Sequence, residues 1–438
     1  MRLHTRIVPD LEGVDPADWD ALDHGPSPFT EYGFLRALER SGSVGPGTGW
    51  EPRYVLIERA PPLGDREHSA PGANGLLGAV ACYRKTHSYG EYIFDFAWAR
   101  ASMRAGLPYY PKLVVAAPVT PATGRRLLVA PGLPPEEHEA VIEALLVGVR
   151  DVADDLECGS VHWLFCSADE HGRLAEADFC PRASFQFHWH NRGYADFDAF
   201  LATLASRKRK QIRKERRRAL ESVDGPVRFV PAADWSRQEI AKLEAFYRRT
   251  CYMHGNEGYL TPEFFELMPT MLPQRARFAQ VRQDGETVAG ALYFQTEHAL
   301  YGRYWGCRCE IPFLHFEVAY YAGIEHCIRE GLALFEAGAQ GEHKLLRGFL
   351  PAKTHSNHWM RHPGLREGVE RFLRGEAMEL TGYMEQLGRF SPYRKGDDGS
   401  PLPLPKVGVC EVGEAGEQAA AEGDDALDDA LDGALDVC

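Results

Sequence analysis

The sequence predicts an α/β (α+β) protein built from two tandem units, each with a mixed, largely antiparallel sheet. Three observations lead there. The chain has 438 residues, more than the roughly 250–300 at which one hydrophobic core stops growing. Runs with a strand period alternate with helical periods along most of it. A constant shift also aligns residues 76–92 with 288–304 without a gap, pairing Gly78 with Gly290, Ala79 with Ala291, Tyr89 with Tyr301, Gly90 with Gly302 and Tyr92 with Tyr304. Both copies place Gly-Ala inside a strand pattern and Tyr-Gly-x-Tyr at the start of the next, as duplication of one unit would.

In chain order, Pro16 to Asp23 and Phe34 to Arg40 carry short amphipathic helical patterns, with a turn at Pro26 to Thr30 between them. Tyr54 to Arg59 and Leu76 to Tyr83 read as strands flanking a Pro/Gly-rich hairpin loop, Pro61 to Asn74, and Tyr92 to Phe96 reads as a third strand. Glu136 to Glu157 has the apolar spacing of a helix, and Val161 to Phe165 follows as a strand. The first unit closes near Phe185 to Trp189. In the second, Arg277 to Arg282, the Asp284-Gly285 turn, Thr287 to Phe294 and Ala299 to Trp305 form an antiparallel meander. Phe313 to Glu330 reads as a helix, with Pro312 at its start and Gly331 past its end. Leu332 to Glu336 is a short buried strand. The domains expected are residues 1–190, residues 191–395 opening with a basic helix, and a linker with an acidic tail at 396–438.

The strand Leu332 to Glu336 empties into Gly338-Ala339-Gln340-Gly341-Glu342-His343-Lys344-Leu345-Leu346-Arg347-Gly348-Phe349. Strand ends are where open α/β sheets place their sites. Small residues let backbone approach a ligand, and Glu342, His343, Lys344 and Arg347 bring an acid, an imidazole and two cations together. The alternative reading of the same stretch is a glycine-rich turn leading into a solvated helix start.

Ten of the 63 acids fall within Cys410–Cys438, which holds no Lys or Arg, so the formal charge of −14 is mostly local. The remaining 53 acids face 49 cations. That tail is expected to be disordered. No apolar run approaches the roughly 18 residues of a membrane span, and a cytoplasmic protein is expected. The ten cysteines are scattered, without the paired spacing of a metal site. Residues 206–218 hold nine cations and one acid, and Phe197, Phe200, Leu201, Leu204 and Ile212 give that stretch a helical seam. Arg209 and Arg213, four apart, project from one face and suit a phosphate-bearing ligand or RNA; the competing reading is a solvated face. In the first unit Lys85, Tyr89, Glu91, Asp95 and Trp98, with Tyr109, Tyr110 and Lys112, suit a sugar, peptide or nucleotide cleft, or else the edge of an aromatic core.

The meander, helix, strand and loop of the second unit follow the order of an acyltransferase core of the GNAT type. Ser88-Tyr89-Gly90-Glu91-Tyr92, Tyr109-Tyr110-Pro111-Lys112-Leu113, Leu314-His315-Phe316-Glu317 and the 338–349 loop together resemble a bacterial family of predicted N-acyltransferases, the peptidoglycan biosynthesis/recognition proteins, within the FemAB-like tandem GNAT group. The resemblance runs from about residue 5 to about 395. It implies transfer of an acyl or aminoacyl group from acyl-CoA or aminoacyl-tRNA, as co-substrate and with no tightly bound cofactor, to an amine such as that of a phosphate-bearing peptidoglycan precursor. Lys344 resembles the lysine of the Phe-Lys pair found in such loops, with His343 in place of the Phe. Candidate proton acceptors are Glu342, His343, His315 and Glu317. The basic helix resembles one that serves a phosphate-bearing substrate. The nearest sequence to a CoA pyrophosphate loop is Arg303-Tyr304-Trp305-Gly306-Cys307-Arg308, which has Arg where a small residue is usual; Arg303 and Arg308 are candidate phosphate contacts. From another class, a non-catalytic module binding a peptidoglycan precursor or nucleic acid needs only the basic and aromatic surfaces.

Overall fold

A computed structural model of the chain describes residues 2–60, 75–338 and 341–395. The expected hairpin loop at 61–74 and the tail from 396 lie outside the described residues. The first half runs β1 (Leu3–Val8), α1 (Pro16–Asp20), α2 (Tyr32–Arg40), β2 (Glu51–Arg59), β3 (Leu76–Lys85), α3 (Phe96–Arg104), β4 (Lys112–Val115), β5 (Leu128–Val129), α4 (Pro135–Asp155), β6 (Ser160–Cys166), α5 (Ala168–Glu176) and β7 (Cys180–His190). The second runs α6 (Phe197–Ala202), α7 (Ser206–Leu220), β8 (Arg228–Pro231), α8 (Arg237–Met253), α9 (Pro262–Met271), β9 (Ala276–Gln283), β10 (Glu286–Gln295) and β11 (Ala299–Cys307). It ends with α10 (Leu314–Phe316), a π-helical turn (Glu317–Tyr321), α11 (Ala322–Glu330), β12 (Leu334–Glu336), β13 (Leu350–Met360) and α12 (Pro363–Arg389). Apart from α3, β5 and α5, which the first half adds, strand, two helices, three strands, helix, strand and a last strand recur in the same order, so the fold is α/β with two tandem units of one pattern.

The units share one sheet. Its order is β1-β2-β3-β4-β6-β13-β7-β12-β11-β10-β9-β8, with β5 paired to β3, and it has the same pattern read from either end. At the centre the last strands have changed places: β13 of the second unit bonds to β6 of the first, and β7 of the first bonds to β12 of the second. A boundary drawn at residue 190 therefore separates the chain but not the sheet. Among the described residues only β4 with β6 and β11 with β12 run parallel. A shared core adds to the join, with Phe29 ring centroids 5.2 Å from those of Phe294 and Tyr301. Burying an aromatic ring of this size stabilises by about 1.5–3 kcal/mol.

The internal repeat holds in its first half. Gly78-Ala79 in β3 and Gly290-Ala291 in β10 occupy the third strand of each unit, where a Cβ at Gly78 would meet Val141 of α4 at 2.6 Å and one at Gly290 would meet Phe278 at 2.3 Å. The second half diverges. Tyr301 to Tyr304 lies in β11, but Tyr89 to Tyr92 lies in a bent segment between β3 and α3. Gly90 and Tyr92 adopt φ of 79° and 60°, which ends the extended alternation expected over Tyr92 to Phe96. The basic stretch 206–218 is one helix, α7, while the seam residues Phe197, Phe200 and Leu201 lie on a separate short helix, α6.

Candidate active site

β11 and β12 pair in parallel as far as Tyr301 and Glu336 and then part. Beyond that point β11 continues through Gly302 and Arg303, while the other arm becomes Ala337 and Gly338. The loop returns through a 3-10 turn at Glu342–Arg347 and enters β13 after Gly348. Gly338, Gly341 and Gly348 have φ of 87°, 109° and 96°, values that side chains with a Cβ resist. This reversal turns Lys344 inward, where it is 2 % exposed and its Nζ donates to the Gly338 carbonyl at 2.9 Å. Burial, with the Arg303 cation nearby, brings its amine down to about 7.

Beside it lie two residues that the sequence did not single out, Glu336 and His188, together with the expected Arg303. Glu336 ends β12 and His188 stands opposite it on β7, with His188 Nε2 3.8 Å from Glu336 Oε1. Arg303 stands at a bulge two positions past Tyr301, the partner of Glu336, and shares its face, since both lie against the Phe29 ring, at 5.7 and 5.2 Å. Burial pushes the Glu336 carboxyl up to about 8 despite the Arg303 and Arg126 cations, and its Oε2 has no hydrogen-bond partner. Burial, then His190 and Lys344, hold His188 down at about 3. The one trace of Glu336 in the sequence is an acid closing an otherwise apolar run. His188 leaves no local sign, because its partner is almost 150 residues away.

A rim of rings surrounds the loop. His315 is 5.2 Å from Trp305, 5.4 Å from Tyr320 and 6.1 Å from His343, centroid to centroid. Tyr320 Oη and His343 Nε2 are 2.8 Å apart. Burial, with Arg347 and Lys344 adjacent, lowers His315 to about 4; burial, Arg347, His315 and Lys344 lower His343 to about 3. Both rings are neutral at pH 7. The π-helical turn Glu317–Tyr321 supplies Tyr320, and such turns recur at functional sites.

Other expected site residues have different partners. Glu317 is buried and bound by Arg216, with contacts of 2.9–3.3 Å, so its carboxylate is engaged with α7. Arg347 lies 3.4 Å over the Phe316 ring, donates to the His343 carbonyl at 2.8 Å and pairs with buried Glu215 of α7 at 3.3 Å. It braces the loop. Glu342 is exposed and accepts from Tyr383 of α12. Arg213 pairs with Asp198 at 2.7 Å and Arg209 donates to Ser206, neither reaching the strand opening. Gly306 is required by packing, since a Cβ there would meet the Phe246 carbonyl at 2.5 Å. The Arg303 to Arg308 stretch is thus strand up to Cys307 rather than a helix-start phosphate loop, and Arg308 is exposed beyond its end.

The first-unit candidates do converge, on one another. Lys112 donates to Glu91 at 2.7 Å, to Ser88 at 2.8 Å and to Asp95. Lys85 lies 3.7 Å from Glu91 and over the Trp50 ring, Tyr110 meets Ser88 at 2.7 Å, and Trp98 is buried beside them. Burial opposes the Lys112 charge, but Glu91 and Asp95 outweigh it and raise its pKa; burial acts against the Asp95 charge too, but Lys112, Ser88 and Tyr109 lower its pKa overall. Of this group Tyr89 is exposed and Tyr110 half-buried; the charges are enclosed and hold the 86–111 insertion to the sheet. The insertion also borders the opening from the first unit: Arg303 donates to the carbonyl of Val119 at 3.3 Å, and a Cβ at Gly90 would meet Val119 and Tyr259. No helix among the described residues is long and apolar enough to cross a membrane.

The profile of the FemAB-like family, peptidoglycan biosynthesis/recognition, matches residues 10–395. No curated protein matches the chain by sequence. Among solved structures the chain is similar to FemX, at 12 % identity and a TM-score of 0.49 over 84 % of this chain and 100 % of that one. A tandem GNAT protein from the clavulanic acid biosynthesis pathway is 13 % identical, with a TM-score of 0.38 over 83 % and 99 %. A protein of unknown function from Bacteroides thetaiotaomicron is also 13 % identical, with a TM-score of 0.43 over 79 % and 97 %.

Proposed function

The chain belongs to the FemAB-like family of peptidoglycan biosynthesis and recognition proteins, and we propose that it is an N-acyltransferase carrying an acyl or aminoacyl group from an activated donor to an amine. In such a reaction a neutral amine attacks the carbonyl, an oxyanion forms, and nitrogen gives up a proton. Lys344 is the observation that carries the reading: a buried amine with a proton affinity near neutral pH, at the parting of two parallel strands. Protonated, it is a donor to the oxyanion; neutral, it takes up the proton that leaves nitrogen. A group titrating near the working pH serves both needs best. His315 and His343, held neutral and weakly basic, orient rather than retain a proton. Glu336, protonated at pH 7, is a further donor facing the same space.

For the donor we keep both aminoacyl-tRNA and acyl-CoA, and for the acceptor an amine of a phosphate-bearing peptidoglycan precursor, with the reaction in the cytoplasm, where such donors are made. The test supplies each donor with a nucleotide-linked muramyl peptide and follows amide formation by mass spectrometry, beside Lys344→Met. Product from one donor, lost in the variant, is expected. Binding of the precursor with no product from either donor overturns transfer in favour of a non-catalytic recognition module.

A further inference from the structure

Helix α7 has two unlike outer sides. Arg213 and Arg216 line a groove of about 520 Å³ together with Asp196, Asp198 and Glu325, so their charge is largely answered there. Lys210, Lys214, Arg217 and Arg218 project elsewhere, all exposed, opposite the buried Ile212, Glu215 and Ala219. The ion pair found on that side, Arg217 to Glu221 at 3.7 Å, joins two largely exposed side chains, an arrangement that contributes little. A dense cationic face is left with nearly no acid upon it.

The described chain returns to this helix before it ends. Leu204 and Tyr393 form a bridge, Ala205 donates to the Pro392 carbonyl at 2.9 Å, and Arg394 donates to that of Thr203 at 3.0 Å. Residue 395 thus lies beside the first turn of α7. Residues 396–409 then precede a stretch with ten acids and no Lys or Arg. Fully extended, those fourteen residues reach about 45 Å, twice the roughly 22 Å length of a 15-residue helix.

We propose that the acidic segment 411–436 docks on the exposed basic face of α7 of its own chain and occupies it against phosphate-bearing ligands. Tethering at this distance supplies an effective concentration in the millimolar range, so individually weak contacts suffice. Charges this exposed are screened by salt, so the docking is reversible. Docking stands independently of the transfer reading; its consequence for a phosphate-bearing substrate rests on that reading.

Carbodiimide treatment of the full chain tests it directly, since this reagent condenses a lysine amine with a carboxylate in contact, losing water. Mass spectrometry is expected to find Lys210 or Lys214 joined to acids of 411–436 within single chains at about 50 mM salt, falling several-fold at about 500 mM and in Arg217→Glu/Arg218→Glu. Links from these lysines only to the folded body, only between chains, or insensitive to salt and charge reversal overturn the proposal. In parallel, a single-stranded RNA oligonucleotide serves as polyanion probe against the full chain and a full chain whose ten tail acids are changed to their amides. The amide form is expected to bind about tenfold tighter at low salt; equal affinity removes the occluding role. A failed transfer assay would change neither result.

Discussion

The two parallel strand pairs, one per unit, part at corresponding places and are finished differently. In the first unit β4 and β6 pair through Val115 and Trp163, and the chain beyond β4 folds back over the gap. Gly124 donates to the Phe165 carbonyl at 3.0 Å, and buried Arg126 donates to the carbonyls of Leu164 at 3.0 Å and Ala122 at 2.8 Å. Glu170 accepts from the backbone N–H groups of Arg126 and Leu127, both at 2.7 Å. This opening is sealed by its own backbone. In the second unit the place is lined by Lys344, Glu336, Arg303 and His188, and Glu336 keeps an unpartnered oxygen. The units' buried lysines differ as well, although Lys112 sits at the start of β4 rather than at its parting from β6. Lys112 is raised by two carboxylates that outweigh burial, whereas Lys344 is lowered to about 7 by burial with Arg303 adjacent. Lys85, buried beside Glu91, is also brought down to about 7, so the value alone does not mark a site; what sets Lys344 apart is its place where β11 and β12 part.

The contrast breaks most severely at Lys112. Lys112→Met leaves Asp95 buried without its cation and Glu91 with only Lys85, 3.7 Å away, and a loss of roughly 3–5 kcal/mol in unfolding free energy is expected by denaturant titration. Lys344→Met is expected to do the reverse to stability while removing about 10²–10⁴ in turnover. The sign follows from linkage: folding lowers the Lys344 pKa from about 10.4 in the unfolded chain to about 7. The unfolded state therefore binds more protons between these values, and stability rises with pH across that window. In Lys344→Met this slope should vanish and the thermal midpoint at pH 7 should increase; a lower midpoint would make Lys344 a structural residue like Lys112. Lys112, with a raised pKa, contributes stability that is complete below about 10.4 and is lost as pH climbs through its folded value.

A pH series sharpens the same comparison. kcat/KM is expected to climb as pH passes through about 7, and Lys344→Arg, which stays charged, should lose as much activity as Lys344→Met. Arginine activity within tenfold of wild type would mean that a cation alone is required. Opening the sealed gap costs less: Arg126→Met strands the Leu164 and Ala122 carbonyls and should lower stability by about 1–3 kcal/mol. The smallest effect expected is at Tyr383→Phe, which frees Glu342 at the surface. A change under about 1 kcal/mol, with turnover nearly unchanged, would set Glu342 apart from the buried site; a large loss of turnover would return it there.

The sequence by itself determined the strands β2, β3, β6 and β12, the helices α4, α7 and α11, the meander β9 to β11 and the loop that carries Lys344. These depend on periodicity and turn chemistry within a dozen or so neighbouring residues. The repeat located equivalent strands as far as glycines packed against a neighbouring side chain could mark them. Only the tertiary structure decided the exchange of β7 and β13, because register between strands far apart in sequence leaves no local pattern. It likewise decided which charges are answered: Glu317 by Arg216, Arg347 by Glu215, Lys112 by Glu91 and Asp95. Glu336 and His188 came into view for the same reason. A side chain's proton affinity is set by what is buried around it, and those neighbours are brought by the fold rather than by the chain on either side.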